Sequence, residues 1–144
     1  MQKMRHYAGY QERCHQEVKE KLYSFGLFSR EVDEIVSALI EENYLNEERF
    51  AETFAGGKFR MRQWGRIRIR YELKQKRVSD YCIRKAMLTI AEEDYLATLK
   101  KIAMKKWEAL ASEKNQYAKK AKAIDYLLQK GYEMELARSV IQQL

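Results

Sequence analysis

Nine of the 28 lysine and arginine residues lie in one short segment, residues 58–77, which holds a single acidic residue, Glu72. The segment has a net charge of +8 while the whole chain has +7, so the other residues are close to neutral. Charge concentrated in this way is typical of a surface that binds a polyanion or an acidic protein, although a solvated helix face is the alternative. The candidate binding residues are Lys58, Arg60, Arg62, Arg66, Arg68, Arg70, Lys74, Lys76 and Arg77.

No other group of residues predicts chemistry. Cys14 and Cys82 form no metal-binding motif, and His6 and His15 are too few and too scattered for a metal site. The sequence has no glycine-rich phosphate loop and no Ser-His-Asp arrangement. We therefore expect no catalytic residues, no metal and no cofactor, and two free thiols in a reducing compartment.

Composition predicts an all-α protein. The chain has no proline and only six glycines, which is a poor supply of turn residues for a β protein, and strong helix formers dominate it. It contains no apolar run of 18 residues, so we expect no membrane span. Because the first ten residues lack the apolar centre of a signal peptide, we expect a cytoplasmic location. We also expect the protein to act as a monomer.

Apolar residues at helical spacing predict a first helix over about residues 4–25, which ends at Gly26. Ser29, Asn46 and Ser79 are the predicted N-caps of later helices. A break is predicted at Trp64-Gly65. Two adjacent glycines, Gly56 and Gly57, are expected to loosen or kink the helix that starts after Asn46. Acidic residues 92–94 open a long helix, residues 112–116 form a loop, and Gly131 separates the last two helices.

One apolar pattern recurs around three positions, Gly26, Arg77 and Gly131. Apolar residues stand four and eight residues before each position and nine, ten and thirteen residues after it. The pattern predicts an internal repeat of about 50 residues, each unit being three helices. We place the first unit at residues 1–44, the second, basic unit at 45–91 and the third at 92–144.

The repeat decides the structure of the basic segment. Residues 66–73 alternate between charged and apolar side chains, which alone predicts a strand, but the equivalent stretches of the other units are helical in pattern. We therefore predict a helix over 66–77, with Arg66, Arg70, Lys74 and Arg77 on one stripe. The equivalents of Arg70 and Lys74 in the third unit are apolar, so this face is the candidate for function. The alternative is that the third unit, as an end cap, packs its face differently.

Three stretches resemble motifs of the RecX family, the bacterial regulators of RecA. The segment NYLNEERFA, residues 43–51, resembles the signature Y-[IL]-[ND]-[DE]-x-[RK]-[FY]-[AV], and GRIRIRYELKQK, residues 65–76, resembles the basic motif RI-x-x-EL-x-x-K. Residues 12–22 resemble the family's opening motif, and the resemblance covers essentially the whole chain. Arg77 departs from it, because the family has glycine there and position 77 needs a positive φ. Trp64 likewise replaces a lysine.

The resemblance implies an elongated, curved array of tandem three-helix repeats that lodges in the groove of the RecA filament on single-stranded DNA. Such proteins inhibit the recombinase, ATPase and coprotease activities of RecA, restrain homologous recombination and the SOS response in DNA repair, and are not enzymes. The basic residues would then contact RecA or DNA phosphate. The alternative is a stand-alone nucleic-acid-binding module in which Phe59, Trp64 and Tyr71 stack on bases, unless these aromatic residues pack in the core.

Overall fold

The computed structural model describes all residues, 1–144, and contains nine helices and no strand, which confirms the all-α fold of repeated helical units. Three helices fall within each predicted unit. Their bounds are α1 Gln2–Tyr10, α2 His15–Ser24, α3 Ser29–Glu41, α4 Glu47–Arg62, α5 Arg66–Gln75, α6 Asp80–Leu88, α7 Glu92–Ala109, α8 Gln116–Lys130 and α9 Met134–Gln142. The helix predicted over 66–77 is confirmed as α5, but it ends at Gln75, so Arg77 lies beyond the helix and outside the predicted stripe. None of the nine combines the length and apolarity needed to cross a bilayer.

The backbone has the same conformation at all three repeat positions. Gly26, Arg77 and Gly131 have φ of +83°, +61° and +101°, a left-handed conformation that ends a helix. The amide of each donates to the carbonyl three residues earlier, at 2.9 to 3.0 Å. These equivalences confirm the alignment that was inferred from apolar spacing, including the positive φ expected at Arg77.

Packing extends the repeat to a further position. The leucines four residues before the three positions, Leu22, Leu73 and Leu127, are completely buried. Val32, Ile83 and Ala137, which stand six residues after Gly26, Arg77 and Gly131, are buried as well, at an offset that the predicted apolar pattern does not include. The second and third helices of each unit thus pack around the same two sites.

The N-terminal prediction was wrong, because residues 4–25 form two helices rather than one. The backbone is extended at Gln11 and again at Cys14, the residue before α2. Arg13 Nε donates to the carbonyl of Tyr7 at 3.3 Å, which satisfies one of the acceptors left open where α1 ends. Cys14 is buried in the core that it shares with the second unit. This long-range packing stops α1, and helical periodicity does not report it.

Two further local predictions were wrong. The N-cap position of α3 is Phe28, and Ser29 is the first helical residue. α4 runs without interruption through Gly56 and Gly57. Gly56 is buried, and the guanidinium of Arg60 occupies the space that a side chain there would need. The predicted caps Asn46 and Ser79 are confirmed, since their side chains accept from the amides three residues later.

The molecule has two apolar cores of unequal size. The larger contains 22 buried residues and runs through the second and third units. The smaller contains seven and belongs to α1–α3. One residue from each side crosses over, because Cys14 packs in the large core and Leu45 in the small one. The second and third units are therefore joined by apolar packing, whereas the first is nearly separate.

Candidate functional site

The basic segment folds as the end of α4, a three-residue turn and α5. Gln63, with φ of +58°, closes α4, and Gly65 in extended conformation begins α5. The first turn of α5 has no acidic residue and carries Arg66 and Arg68. Cations at a helix N-terminus oppose the helix dipole, so this placement costs stability unless carboxylates or a partner offset it. The nine basic residues divide into three groups by what surrounds them.

Arg66 is held inside the molecule by the third unit. Its guanidinium pairs with Glu133 at 2.8 Å and with Glu92, and it lies 3.8 Å from the centre of the Tyr95 ring. Its side chain is only 20% exposed. Burial raises the pKa of Glu133, but hydrogen bonds from Tyr95 and Arg66 outweigh burial and hold that pKa below its usual range. Arg66 thus has its charge satisfied within the chain.

Lys58, Arg68 and Lys76 lie against two aromatic rings, in an arrangement that we call the cation–aromatic row. Lys76 and Lys58 lie 5.8 and 5.4 Å from the centre of the Phe54 ring. Lys58 and Arg68 lie 5.1 and 4.2 Å from the centre of the Trp64 ring. Cation–π attraction holds these side chains in place. Lys76 also pairs with Glu17 of the first unit at 3.4 Å.

The remaining five basic residues are exposed at the surface, and we call them the free basic set. They are Arg60, Arg62, Arg70, Lys74 and Arg77. Only Lys74 has an ionic partner, Asp80 at 3.7 Å, and both of these side chains are more than half exposed. Such a pair contributes little to stability, so Lys74 can exchange Asp80 for another anion. The free basic set is the unpaired positive charge of the second unit.

Two exposed apolar side chains accompany this charge on α5. Ile67 is 49% and Tyr71 is 59% exposed. By their position on the helix they stand beside Arg70 and Lys74, opposite the buried Ile69 and Leu73. Arginine next to exposed tyrosine is the composition that protein interfaces favour. The surface of α5 therefore combines charge with apolar area.

The three aromatic residues considered for base stacking have different environments. Phe59 is buried and stacks on Tyr95, with ring centres 5.9 Å apart, so packing in the core is its role. The Trp64 ring is approached by Lys58 and Arg68 and contacts Phe54. Tyr71 alone of the three is open. A row of stacked bases would need more exposed rings than this surface offers.

Several residues that organise the site were not predicted. Tyr95 and Tyr132 are fully buried, and their hydroxyls donate to Glu133 and to the carbonyl of Gln63. Glu133 and Glu92 are the partners of Arg66. The sequence shows a tyrosine, Tyr132, directly after Gly131, but Gln63, which its hydroxyl contacts, lies 69 residues away in the sequence. Local patterns cannot report such pairs.

The structure offers no metal centre, because no three His, Cys, Asp or Glu side chains are close enough to hold an ion. Both cysteines are free and buried. Burial raises the pKa of the Cys14 thiol to about 11, so it is protonated at neutral pH. The chemistry that this surface supports is the binding of anionic groups.

Comparison with known proteins gives two family matches. Residues 46–87 match a model described as RecX, second three-helix domain, and residues 92–141 match RecX, third three-helix domain. The regulatory protein RecX of Vibrio vulnificus is 32% identical over 130 residues, covering 85% of this chain and 77% of that protein. Its counterpart in Clostridium perfringens strain 13 is 33% identical over 129 residues, and this chain spans only 60% of that relative's length.

The fold is also that of solved structures. A crystal structure of RecX from Lactobacillus salivarius superimposes with a TM-score of 0.88, covering 99% of this chain and 92% of that one at 24% identity. A second crystal structure, of a regulatory protein RecX, superimposes with the same TM-score at 20% identity, and the match covers 99% of this chain and 70% of that one. At these identities the likeness establishes the fold alone.

Proposed function

The chain belongs to the RecX family, and from this membership we propose that it binds the RecA filament on single-stranded DNA and mainly inhibits the recombinase, ATPase and coprotease activities of RecA. Its role is then to restrain homologous recombination and the SOS response in the cytoplasm, as a monomer that is not itself an enzyme. The chain spans 60% of the length of its Clostridium perfringens relatives. The proposal therefore concerns residues 1–144, which form three helical units with the basic unit in the middle.

The observation that carries the proposal is the free basic set of the second unit. Four arginines and one lysine project from α4, α5 and the turn that follows, on the part of the chain that matches the second RecX domain. Exposed cations next to exposed Ile67 and Tyr71 suit an acidic protein surface, and the same cations suit DNA phosphates. We divide the contacts accordingly: Arg70, Lys74 and Tyr71 toward RecA, and the other cations toward either RecA or DNA.

Inhibition follows if one molecule contacts two neighbouring RecA subunits. A chain of three consecutive helical units can contact more than one subunit of a helical filament. Contacts made by the middle unit would fix its position, and the outer units would determine its reach. Bridged subunits could not complete the movements that accompany ATP hydrolysis, or their interface would be weakened.

The first experiment is a titration of this protein into RecA that hydrolyses ATP on single-stranded DNA. We expect the hydrolysis rate to fall as the protein is added. The triple variant Arg62→Glu, Arg70→Glu, Lys74→Glu should lose inhibition, because three cations of the free basic set become anions while the helix-forming residues remain. Full inhibition by this variant would exclude the free basic set as the binding surface.

A matched control carries the same change of charge in the third unit. Lys100, Lys105 and Lys120 are exposed and make no ion pair. Their triple replacement by glutamate should leave inhibition nearly unchanged. Equal loss in both variants would mean that overall charge matters and that the second unit has no special role. Far-ultraviolet circular dichroism verifies that both variants stay helical.

A stand-alone nucleic-acid-binding module is the second candidate function, and the exposure of Tyr71 beside Arg70 is the observation that favours it. It predicts tight binding to free single-stranded DNA without RecA. The logarithm of the binding constant should then fall with the logarithm of salt concentration by about 0.7 per phosphate contacted. Weak binding to free DNA together with strong binding to the filament would favour the first candidate.

A further inference from the structure

The first turn of α5 is capped by the third unit. The amides that open a helix have no acceptor within it, and here three in succession find one across the junction. Gly65 donates to the carbonyl of Lys130 at 2.8 Å, and Ile67 donates to that of Gly131 at 2.9 Å. The amide of Arg66, between them, donates to the Tyr95 hydroxyl at 2.9 Å. This end of α5 is therefore completed by residues that lie far from it in the sequence.

The backbones at this junction are in direct contact. A Cβ atom at Gly65 would overlap the backbone of Gly131, and one at Gly131 would overlap Arg68. Two glycines are thus required for the close approach. The Tyr132 hydroxyl and the Lys130 ammonium add hydrogen bonds to the carbonyls of Gln63 and Arg62, at 2.9 and 3.0 Å.

Arg66 connects three parts of this junction at once. It extends from α5 to Glu92 at the start of α7 and to Glu133 before α9, and it covers the Tyr95 ring. Tyr95 in turn donates to Glu133. A planar guanidinium can bond two carboxylates and stack on a ring at the same time, which an ammonium cannot do.

The junction between the first and second units is built differently. It relies on ion pairs such as Glu12 with Arg49 and Glu17 with Lys76. Apart from the connecting turn, no backbone hydrogen bond crosses it. The position equivalent to Arg66 is His15, the first residue of α2, whose ring lies 3.9 Å from the carboxylate of Glu47. Burial lowers the pKa of His15, so this contact lacks the permanent charge that Arg66 brings to two carboxylates.

We propose that Arg66 is a positioning residue which fixes the second unit on the third, and that it does not contact a partner. It keeps Gly65 against Gly131 and α5 capped, and so determines where Arg70 and Lys74 stand relative to the third unit. This consequence for binding rests on the function proposed above, whereas the positioning itself does not. Arg66 was predicted to share a binding stripe with Arg70 and Lys74, and this proposal gives it a different role.

Amide hydrogen exchange in the free protein tests this role. The amides of Gly65 and Ile67 are bonded only across the junction, so their exchange reports its opening, and amides elsewhere in the chain report global unfolding. Arg66→Gln should accelerate both by about tenfold or more, because hydrogen bonds to charged groups are lost. The amides of Ile83 and Leu99, which lie inside the two units, should change much less. Unchanged exchange at Gly65 and Ile67 would overturn the proposal.

Three more variants make the test specific. Arg66→Lys should accelerate the same two amides, since it keeps the charge but cannot hold both carboxylates. Glu133→Gln should do so with Arg66 in place, and combining it with Arg66→Gln should add little, because both changes disrupt one network. Arg70→Gln, on the same helix and without an ionic partner, should leave them unchanged. Equal effects of Arg66→Gln and Arg70→Gln would contradict a special role for Arg66.

The outcomes distinguish this proposal from the function proposed above. Exchange is measured without RecA or DNA, so failure of the protein to inhibit RecA would leave the positioning role standing. Conversely, unchanged exchange in Arg66→Gln combined with loss of filament binding would make Arg66 a contact residue. If Arg66→Gln accelerates exchange throughout the chain, Glu133→Gln decides the same question.

Discussion

At the residue scale, the same side-chain type has different roles within a few positions of the chain. Arg66 is enclosed by carboxylates, Arg68 lies on Trp64, and Arg70 is free. The nine basic residues can be identified from the sequence, but their different roles cannot. The partners of Arg66 lie 26 and 67 residues away, and local spacing contains no information about them.

The backbone conformation of Arg77 could be predicted from the sequence, and it is one that an arginine adopts at a cost. Its φ of +61° suits glycine, and an L-residue in this conformation costs about 1 kcal/mol. Arg77→Gly should therefore raise the free energy of unfolding by up to about 1 kcal/mol, which urea denaturation measures. It should also weaken filament binding, because Arg77 belongs to the free basic set.

The control for this prediction is Arg77→Asn, since asparagine tolerates the left-handed conformation but carries no charge. It should weaken binding as Arg77→Gly does, with a smaller gain in stability. If Arg77→Gly lowers stability, the side chain contributes more within the folded protein than its exposure indicates.

At the element scale, the features that could be predicted are those that depend on residues close together in the sequence. Apolar spacing revealed the three equivalent positions and the helical state of residues 66–75, even against a pattern that alternates like a strand. The break at residues 11–14 was missed because the burial of Cys14 in a distant core ends α1. Gly56 is likewise buried inside an uninterrupted α4, although glycine is a weak helix former. Elements thus end where tertiary packing requires, as well as where turn residues stand.

The contacts between the first and second units make the position of α2 sensitive to salt. Arg49 pairs with Glu12 at 2.7 Å and also donates to the side chain and the carbonyl of Asn43. Arg49→Gln should accelerate proteolysis within residues 11–14, because the segment loses its anchor to α4. Raising the salt concentration to about 1 M should have a similar but weaker effect on the unmodified protein, since ion pairs are screened.

Limited proteolysis with identification of the cleavage sites measures this effect. The control is Arg30→Gln, which removes an exposed pair with Glu34 within α3 and should leave the cleavage rate unchanged. Cleavage that is insensitive to both Arg49→Gln and salt would mean that apolar contacts of Cys14 hold the first unit in place.

At the scale of the whole molecule, the chain consists of a two-unit body and a first unit joined to it mainly by charge. An apolar core of 22 residues supports the two-unit body, and a core of seven residues supports the first unit. Because stability increases with buried apolar area, the two-unit body should be more stable than the first unit. Under the function proposed above, this division would let the two-unit body hold the binding surface while the first unit adjusts to the partner.

The unequal cores predict that the two parts differ in local stability. The same substitution, leucine to alanine, made once in each core tests this prediction. Leu22 and Leu99 are both fully buried, one in each core. Replacing a buried leucine by alanine costs about 2–5 kcal/mol. Leu22→Ala should therefore unfold α1–α3 while the amides of Leu73 and Leu127 keep their protection from hydrogen exchange. Leu99→Ala should instead lower protection in both the second and third units, because they share one core. Loss of protection throughout the chain in Leu22→Ala would show that the three units unfold as one, and the adjustable first unit would then have no physical basis.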